Sequence, residues 1–404
     1  MRARATTVGA GVWQREIPLV DLAVQHHDVA DAVAAGFAEV LRTGDFVGGE
    51  AVGAFEREYA SFVGVRHCVG VGNGTDALEL ALRALDVGWG DEVILPATTF
   101  VATAEAVVRT GARPVLVDVD DDALLIDPSR VAKARTPRTR ALIPVHLYGQ
   151  AAPVERLQSA LGDRGVPIVE DAAQAHGARR HGRAAGGLGV IAATSFYPGK
   201  NLGAYGDAGA VLTDDDELAR RVRLLGAHGS AAKYEHEQLG FNSRLDTLQA
   251  VVLRAKLRRL ADWNEQRREA AARYDELLAD LPAVGVPVTL AGNEHVWHLY
   301  VVRLPHRDEA LRRLQQRGIA AAIHYPVPVH LQPAFRFLGH RPGAFPVAER
   351  AAREILSLPL YPGITGEQQA RVVDAIADGL RTRDAPPGTA RARAPRRPAA
   401  DRRA

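Results

Sequence analysis

Short apolar runs alternate with helically spaced segments over the first half of the chain. Seven runs predict buried strands, at residues 67–71, 92–95, 114–117, 141–145, 168–170, 193–196 and 210–213. Helical spacing lies between several of them, at residues 75–85, 101–110 and 153–161. Strands that alternate with helices are typical of a parallel sheet covered on both faces. We therefore expect an α/β fold with a mostly parallel, seven-stranded sheet.

The pattern changes after residue 245. Helical spacing continues without glycine or proline from 245 to 278, which predicts one long helix. The predicted order then is a strand at 296–303, a helix at 308–317, a proline-rich loop, and helices at 346–354 and 366–380. These elements divide the chain into a large α/β domain over 16–245, a linking helix over 246–280 and a smaller α+β domain over 281–383.

Both ends of the chain are predicted to be flexible, at residues 1–15 and 384–404. The C-terminal segment has six arginines, two aspartates and four prolines, and no aromatic or large aliphatic residue. Such a segment buries too little apolar surface to offset its ordering entropy. Its charge is +4, which leaves −2 for the rest of a chain whose total is +2. A basic tail can dock on nucleic acid, but a solvated extension is favoured.

Composition excludes several classes of protein. The 404 residues include one cysteine, so neither an internal disulfide nor a cysteine zinc site is expected. No apolar run approaches the ~20 residues of a membrane helix. The near-neutral balance gives no reason to expect nucleic acid as a partner. Histidine pairs lack accompanying carboxylates, so no metal site is expected. We expect a soluble, cytoplasmic protein.

Lys200 lies in the segment Ser-Phe-Tyr-Pro-Gly-Lys-Asn, directly after an apolar run. A lysine in a rigid, partly dry turn can have a lowered pKa, which makes its neutral amine available as a nucleophile toward carbonyls. The alternative is a surface lysine in an ion pair. A phosphate-binding P-loop does not fit, because Thr194 and Asn201 stand where that motif needs glycine and Ser/Thr.

Two further segments lie at strand ends. Residues 72–78, Gly-Asn-Gly-Thr-Asp-Ala-Leu, open a helix whose free N–H groups can bind an anion, although Asn73 or Thr75 can equally be a simple cap. Asp171 ends another strand and can hold a ring N–H⁺, or cap a helix. An anion cradle, a strand-end carboxylate and a loop lysine are together the groups that a pyridoxal phosphate (PLP) site requires.

These segments resemble the DegT/DnrJ family of nucleotide-sugar aminotransferases, which are PLP-dependent enzymes of fold type I. The resemblance runs from about residue 18 to 380 and is carried by NGTDALELAL, PATTFVAT, PVHLYGQAAP, VEDAAQAHGA, SFYPGKNLGAYGDAGAV, GFNSRLDTLQA and HYPVPVHLQPAF. It implies that Lys200 joins the cofactor covalently and moves protons, and that Asp171 pairs with the pyridine nitrogen. Other cofactor contacts that it implies are Gly74, Thr75, Asp76, Phe100, Gln174 and Ser195.

Asn242 matches a phosphate ligand from the neighbouring subunit, so the resemblance also implies a homodimer with shared active sites. Tyr197, three residues before the lysine, and the HYPVPVH segment are similar to members that act on 3-keto-6-deoxyhexoses. Candidate substrate contacts are Tyr197, Lys233, His324 and Tyr325. The implied reaction moves an amine from L-glutamate to a keto-sugar on a nucleoside diphosphate, here TDP, and releases 2-oxoglutarate.

Three alternatives remain open at this point. The sugar can carry its keto group at C4 instead of C3. The enzyme can be a PLP sugar dehydratase, although such members have histidine at the position of Lys200. The chain can also be a non-catalytic regulator that keeps the fold and uses its basic tail to bind nucleic acid.

Overall fold

The structure is a computed structural model that describes residues 17–162, 165–232 and 234–384. The predicted flexible N-terminus, the tail beyond Asp384 and the candidate Lys233 lie outside the described residues. No helix among the described residues is long and apolar enough to cross a membrane.

The described helices and strands follow one another along the whole of this range. The strands are β1 (His67–Val71), β2 (Glu92–Pro96), β3 (Arg113–Val117), β4 (Thr139–Leu142), β5 (Val169–Asp171), β6 (Arg179–Arg180), β7 (Arg183–Ala184), β8 (Ile191–Ser195), β9 (Gly209–Thr213), β10 (Ser230–Ala232), β11 (Glu235–His236), β12 (Asn293–Glu294), β13 (Tyr300–Arg303) and β14 (Ile355–Leu358). The helices are α1 (Leu22–His27), α2 (Ala30–Thr43), α3 (Gly49–Val63), α4 (Gly74–Ala84), α5 (Val101–Thr110), α6 (Pro128–Ala134), α7 (Val154–Leu161), α8 (Asp216–Gly226), α9 (Thr247–Leu257), α10 (Leu260–Leu278), α11 (Arg307–Gln316), α12 (Pro346–Glu354) and α13 (Gly366–Asp384).

Seven strands build the central layer in two groups. One group has the order β1-β9-β8-β5 and the other β3-β2-β4. Parallel bridges from Leu142 to Ile168 and from Val145 to Asp171 join the two groups. Strand β9 is antiparallel to both of its neighbours, whereas β5 with β8, and β2 with β3 and β4, pair in parallel. The α/β fold class predicted from the alternating pattern is therefore confirmed.

Helix α4 lies at the centre of the main core. Ala77, Leu80 and Leu82 are at most 1% exposed, and they pack in one cluster with residues of β1, β2, β8 and β9. Burying a leucine side chain contributes about 1.5–3 kcal/mol, so this cluster fixes the helix firmly against the sheet. The N-terminus of α4 is consequently held at one edge of the sheet.

A second apolar cluster lies in the C-terminal part of the chain. Strands β13 and β14 pair antiparallel, and α10, α11 and α13 supply apolar residues to the same cluster. Tyr274 and Tyr300 stack with ring centroids 4.9 Å apart in its interior. Ile17, at the start of the described chain, joins this cluster and bridges to Ile319.

The single helix predicted over 246–280 is wrong, because the structure has α9 and α10 with a break at Arg258 and Arg259. On one side of the break Lys256 is anchored to the carbonyl of Gly203. On the other side Trp263 is buried and donates its indole N–H to Asp28. The break contains no glycine or proline, and these two buried side chains hold the helices in place on either side of it.

The strand predicted over 296–303 begins only at Tyr300. The four preceding residues dock instead on the turn Leu147–Gly149, with hydrogen bonds from Val296 N to Gly149 O (2.9 Å) and from Leu299 N to Tyr148 O (3.2 Å). The apolar content of residues 296–299 does not distinguish pairing in a strand from docking on this turn, since both arrangements bury the segment. This docking brings residues 296–299 beside the large sheet.

A buried carboxylate anchors the loop that precedes β8. Glu170 is fully buried, and its two oxygens accept hydrogen bonds from the backbone N–H groups of Gly186, Leu188 and Gly189 and from His146 Nε2 (2.6–2.7 Å). Burial alone raises the pKa of Glu170, but these donors outweigh it and hold the pKa below its usual value.

Glu170→Gln tests this anchor. The amide NH₂ would face hydrogen-bond donors in place of an acceptor, so we expect the free energy of unfolding to fall by about 3 kcal/mol. Urea denaturation followed by far-UV circular dichroism measures it. The control is Glu39→Gln, which removes an exposed ion pair with Arg42 and is expected to leave the free energy of unfolding unchanged within error. Equal losses in both variants would contradict the proposed anchor.

Candidate active site

The candidate site lies where several strands of the central sheet end. Parallel strands place their carboxyl ends at one edge, and ligands bind in the crevice outside that edge. Residues 73–75 follow β1, residues 98–100 follow β2, Asp171 ends β5, and Ser195 ends β8. A cavity of about 630 Å³ opens here. Ten of the candidates line it: Gly74, Thr75, Phe100, Asp171, Gln174, Ser195, Tyr197, Lys200, His324 and Tyr325.

Lys200 lies in a loop that is held at both ends. The buried ring of Phe196 packs edge-on against Phe55 and Tyr59, and Lys200 N donates to Tyr197 O (2.8 Å). Gly203 approaches Pro198 so closely that a Cβ would lie 2.3 Å from its carbonyl oxygen. The loop is therefore rigid, as its glycines and proline suggest.

A second lysine holds this loop from behind. Lys256, on α9, is 2% exposed and donates from Nζ to the carbonyl of Gly203 (2.7 Å). Its Nζ also lies 4.7 Å from the ring centroid of Tyr205. Burial lowers the pKa of Lys256 to about 8. No sequence pattern distinguishes Lys256 from a surface lysine.

The amine of Lys200 is easier to deprotonate than that of an ordinary lysine. Burial lowers its pKa to about 8, and the negative charge of Asp171 opposes part of this effect. An unperturbed lysine has a pKa of about 10.4, so a much larger fraction of Lys200 is neutral near pH 7. A neutral amine is the form that attacks carbonyls.

Asp171 is buried and held in one orientation. Its Oδ2 accepts a hydrogen bond from Thr103 Oγ1 (2.7 Å), and its Oδ1 accepts from Ala173 N (3.2 Å). Thr103, on α5, also contacts Thr99 Oγ1 at 2.7 Å. These two threonines were not predicted as site residues, since a threonine just before or on a helix carries no distinctive signal. Together they position a carboxylate that faces the same cavity as Lys200.

The N-terminus of α4 offers N–H groups to an anion. Asn73 caps the helix, and its side chain accepts from Asp76 N (2.9 Å), which leaves the N–H groups of Gly74 and Thr75 at the cavity wall. A Cβ on Gly74 would lie 2.5 Å from Ser195 Cβ, so glycine is required for this close approach. The predicted cap is therefore present, and it does not use the N–H groups of Gly74 and Thr75.

These groups fit PLP. Two helix N–H groups and the Ser195 hydroxyl suit a phosphate, and a buried carboxylate suits a protonated ring nitrogen. Phe100 is 52% exposed and its ring faces Tyr325 at a centroid distance of 5.4 Å, so it is not packed in the core. A ring-shaped ligand can therefore lie against it.

The substrate side of the cavity is tied together by hydrogen bonds. Gln174 accepts from Tyr148 N (2.7 Å) and donates to the Tyr325 hydroxyl (3.1 Å). The Tyr148 hydroxyl donates to the carbonyl of His324. Gln174, predicted as a cofactor contact, thus also orients a predicted substrate contact. Tyr197 stands at the cavity wall with 59% of its surface exposed.

Two predicted cofactor residues do not line this cavity. The carboxylate of Asp76 is turned away and accepts from Ser243 Oγ (2.7 Å), which in turn accepts from Gly72 N. Asn242 is exposed, and its side chain accepts from Arg244. Asn242 therefore lies outside the lining of its own chain's cavity.

Three histidines surround the lysine, and all have lowered pKa values. Burial, followed by the charge of Lys200, lowers the pKa of His176 to about 3 and that of His324 to about 4. The same two causes hold the pKa of His298 well below its usual value. His298 lines the cavity and was not predicted as a site residue, since the sequence presents it only as a pair with His295, for which a structural role is favoured. Among the described residues, no group of three or more His, Cys, Asp or Glu is arranged to hold a metal ion.

Known proteins are similar over almost the whole described chain. The profile of the DegT/DnrJ/EryC1/StrS aminotransferase family matches residues 28–377. A Streptomyces venezuelae protein, named dTDP-3-amino-3,4,6-trideoxy-α-D-glucose transaminase, is 49% identical over 362 residues, which cover 90% of this chain and 96% of that protein.

Solved structures agree with this match. S. venezuelae DesV in complex with a ketimine intermediate has a TM-score of 0.88 at 49% identity, covering 90% of this chain and 98% of that one. Bacillus subtilis NtdA with bound cofactor PMP has a TM-score of 0.82 at 30% identity, covering 94% and 86%. With the lysine, carboxylate and anion cradle in place, the chain belongs to the DegT/DnrJ/EryC1/StrS aminotransferase family and is a PLP-dependent sugar aminotransferase.

Proposed function

We propose that this enzyme transfers the amine of L-glutamate to a TDP-linked 3-keto-6-deoxyhexose. The observation that carries the proposal is the single cavity in which Lys200, Asp171 and the N-terminus of α4 meet Tyr197, His324 and Tyr325. The S. venezuelae relative, whose name places the amine at C3 of a 6-deoxy sugar, supports the choice of carbon. Release of 2-oxoglutarate completes the exchange.

Bound PLP supplies a reactive carbonyl and an electron sink. The residues of this chain do the rest. The amine of Lys200 would hold this group covalently at rest, and its Nζ would carry a proton during turnover. Asp171 keeps a proton on the ring nitrogen, and each unit by which it raises the pKa of that nitrogen contributes about 1.4 kcal/mol. Thr103 holds the Asp171 carboxylate in place for this task.

Anion binding is local in this proposal. The N–H groups of Gly74 and Thr75 and the hydroxyl of Ser195 hold the cofactor phosphate at the helix N-terminus. The body of the chain has a slightly negative formal charge, so no global positive field attracts these ligands. The N–H groups and the hydroxyl at the cavity wall supply the attraction instead.

We propose further that the enzyme is a homodimer in which Asn242 of each subunit completes the partner's site. Asn242 is exposed and is not among the residues that line the cavity of its own chain, which supports this assignment. Each subunit then depends on the other for one phosphate contact.

Product analysis tests the substrate. Offered TDP-linked 3-keto- and 4-keto-6-deoxyhexoses side by side with glutamate, the holoenzyme is expected to form the 3-amino sugar and consume equal amounts of glutamate. Mass spectrometry and NMR of the product identify the carbon. A chain shortened to residue 384 is the control and should turn over unchanged. A 4-amino product, or elimination without loss of glutamate, would refute the proposal.

The pH dependence of covalent labelling tests Lys200. Cofactor-free protein treated with pyridoxal and a borohydride reagent is expected to be labelled at Lys200 with a half-maximal rate near pH 8, because the neutral amine fraction rises through the pKa. Peptide mass spectrometry locates the label. Lys200→Ala should lose this labelling and all transamination. Lys133→Ala, which removes an exposed lysine on α6, should keep both. A half-maximal rate near pH 10.4 would contradict the lowered pKa.

Subunit mixing tests the shared site. Lys200→Ala and Asn242→Ala are each expected to be nearly inactive alone. In a randomly mixed dimer, one site regains both residues, so activity should return to about a quarter of wild type. Steady-state rates measured after co-refolding or co-expression give the answer. Mixed protein that stays as inactive as its parents would show that Asn242 serves its own chain.

A further inference from the structure

A series of buried side-chain amides, joined by hydrogen bonds, runs from α10 to the cavity. Asn264 Nδ2 donates to the backbone carbonyl of His176 (2.8 Å), and a carbonyl can only accept. The amide orientation of Asn264 is thereby fixed, with its Oδ1 turned toward Asn201. Asn264 is 3% exposed and Asn201 1% exposed, so neither amide has solvent as an alternative partner.

Asn201 continues this series of hydrogen bonds. Its Nδ2 donates to Asn264 Oδ1 (2.9 Å) and to the carbonyl of Val296 (2.8 Å), so both of its N–H groups meet acceptors. Its remaining atom, Oδ1, must therefore face His298, whose Nδ1 lies 3.2 Å away. Because an amide oxygen only accepts, His298 Nδ1 must carry the hydrogen.

The imidazole of His298 is neutral. Burial, and then the nearby charge of Lys200, hold its pKa well below the usual value. A neutral imidazole has one N–H and one lone pair. With the hydrogen on Nδ1, the lone pair lies on Nε2, and no hydrogen bond from another described residue engages that atom. His298 lines the same cavity as Lys200, Asp171 and Tyr325.

We propose that His298 binds a sugar hydroxyl: the Asn264–Asn201 pair fixes its Nδ1–H tautomer, and Nε2 accepts a hydrogen bond from a hydroxyl on a carbon that flanks the keto group. This inference rests on the proposed function and deepens it. Lys200 must reach the keto carbon, and Asn201 follows Lys200 directly in the chain. The same short segment thus places the nucleophile and orients the acceptor.

Substrates that lack one hydroxyl test the proposal. The holoenzyme is given a TDP-linked 3-keto-6-deoxyhexose and its 2-deoxy and 4-deoxy counterparts. For wild type, we expect kcat/KM to fall about 10- to 100-fold for one of the two deoxy sugars, because an acceptor in the cavity loses its donor. In His298→Phe that loss should shrink to less than threefold, whereas His298→Gln, whose Oε1 can accept, should keep most of it.

His295→Gln is the matched control. His295 is likewise buried and neutral, with a pKa of about 3, but its Nδ1 accepts from Trp297 N and its ring stacks on Trp297 at 3.8 Å. It does not line this cavity. The variant should leave the discrimination between sugars unchanged. Equal discrimination in wild type and His298→Phe, or none in wild type, would overturn the proposal.

The tautomer is measured independently of turnover. In holoenzyme labelled with ¹⁵N-histidine, the His298 signals, assigned by their loss in His298→Gln, should show a protonated Nδ1 and an unprotonated Nε2 at pH 7. Unreactive TDP-6-deoxyglucose should shift the Nε2 resonance toward the protonated range. An Nε2–H tautomer or an imidazolium would overturn the inference even where transamination occurs. Failure to aminate any keto-sugar, with the expected tautomer present, would instead refute the proposed function.

Discussion

The parallel pairing of β5 with β8 is the constraint on which the active site depends. It aligns Asp171 with Ala193 in register, so the carboxylate at one strand end lies beside the strand that leads to Lys200. Sliding this register by one residue would turn Asp171 from the cavity to the opposite face of the sheet. The bridges from β4 and the packing of α4 then bring the Tyr148 turn and the anion cradle to the same edge. A backbone alignment thus determines the distance between an acid and an amine.

Few charged groups line the cavity, and most of its other described lining residues are neutral. Three imidazoles lie around one lysine, and burial keeps each of them uncharged near neutral pH. Had they been protonated, they would have repelled the amine and the ring proton that Asp171 is expected to hold. Neutral amides, hydroxyls and backbone N–H groups do the positioning instead. Such groups orient ligands without the desolvation cost of additional buried ions.

The sequence predicts the strands of the sheet well because each is a short apolar run between turns. It also locates Lys200, Asp171 and the α4 N-terminus, since each follows directly from a strand end. It fails where long-range packing decides between local alternatives. The helix break before Leu260 and the late start of β13 at Tyr300 depend on partners more than 50 residues away. His298 escaped prediction for the same reason, because its chemistry depends on Asn201 and Asn264 and not on its neighbours in the chain.

Lys256 shows that a low pKa does not by itself make a lysine reactive. Lys200 and Lys256 have lowered pKa values of about 8, and burial is the main cause for both. Yet Lys256 has its Nζ bound to a carbonyl and covered by the Tyr205 ring, while Lys200 opens on a cavity. The chain has only four lysines in all. A covalent inhibitor or affinity reagent would therefore distinguish these two amines by shape, and its selectivity would come from the scaffold that fits the cavity and not from the strength of its electrophile.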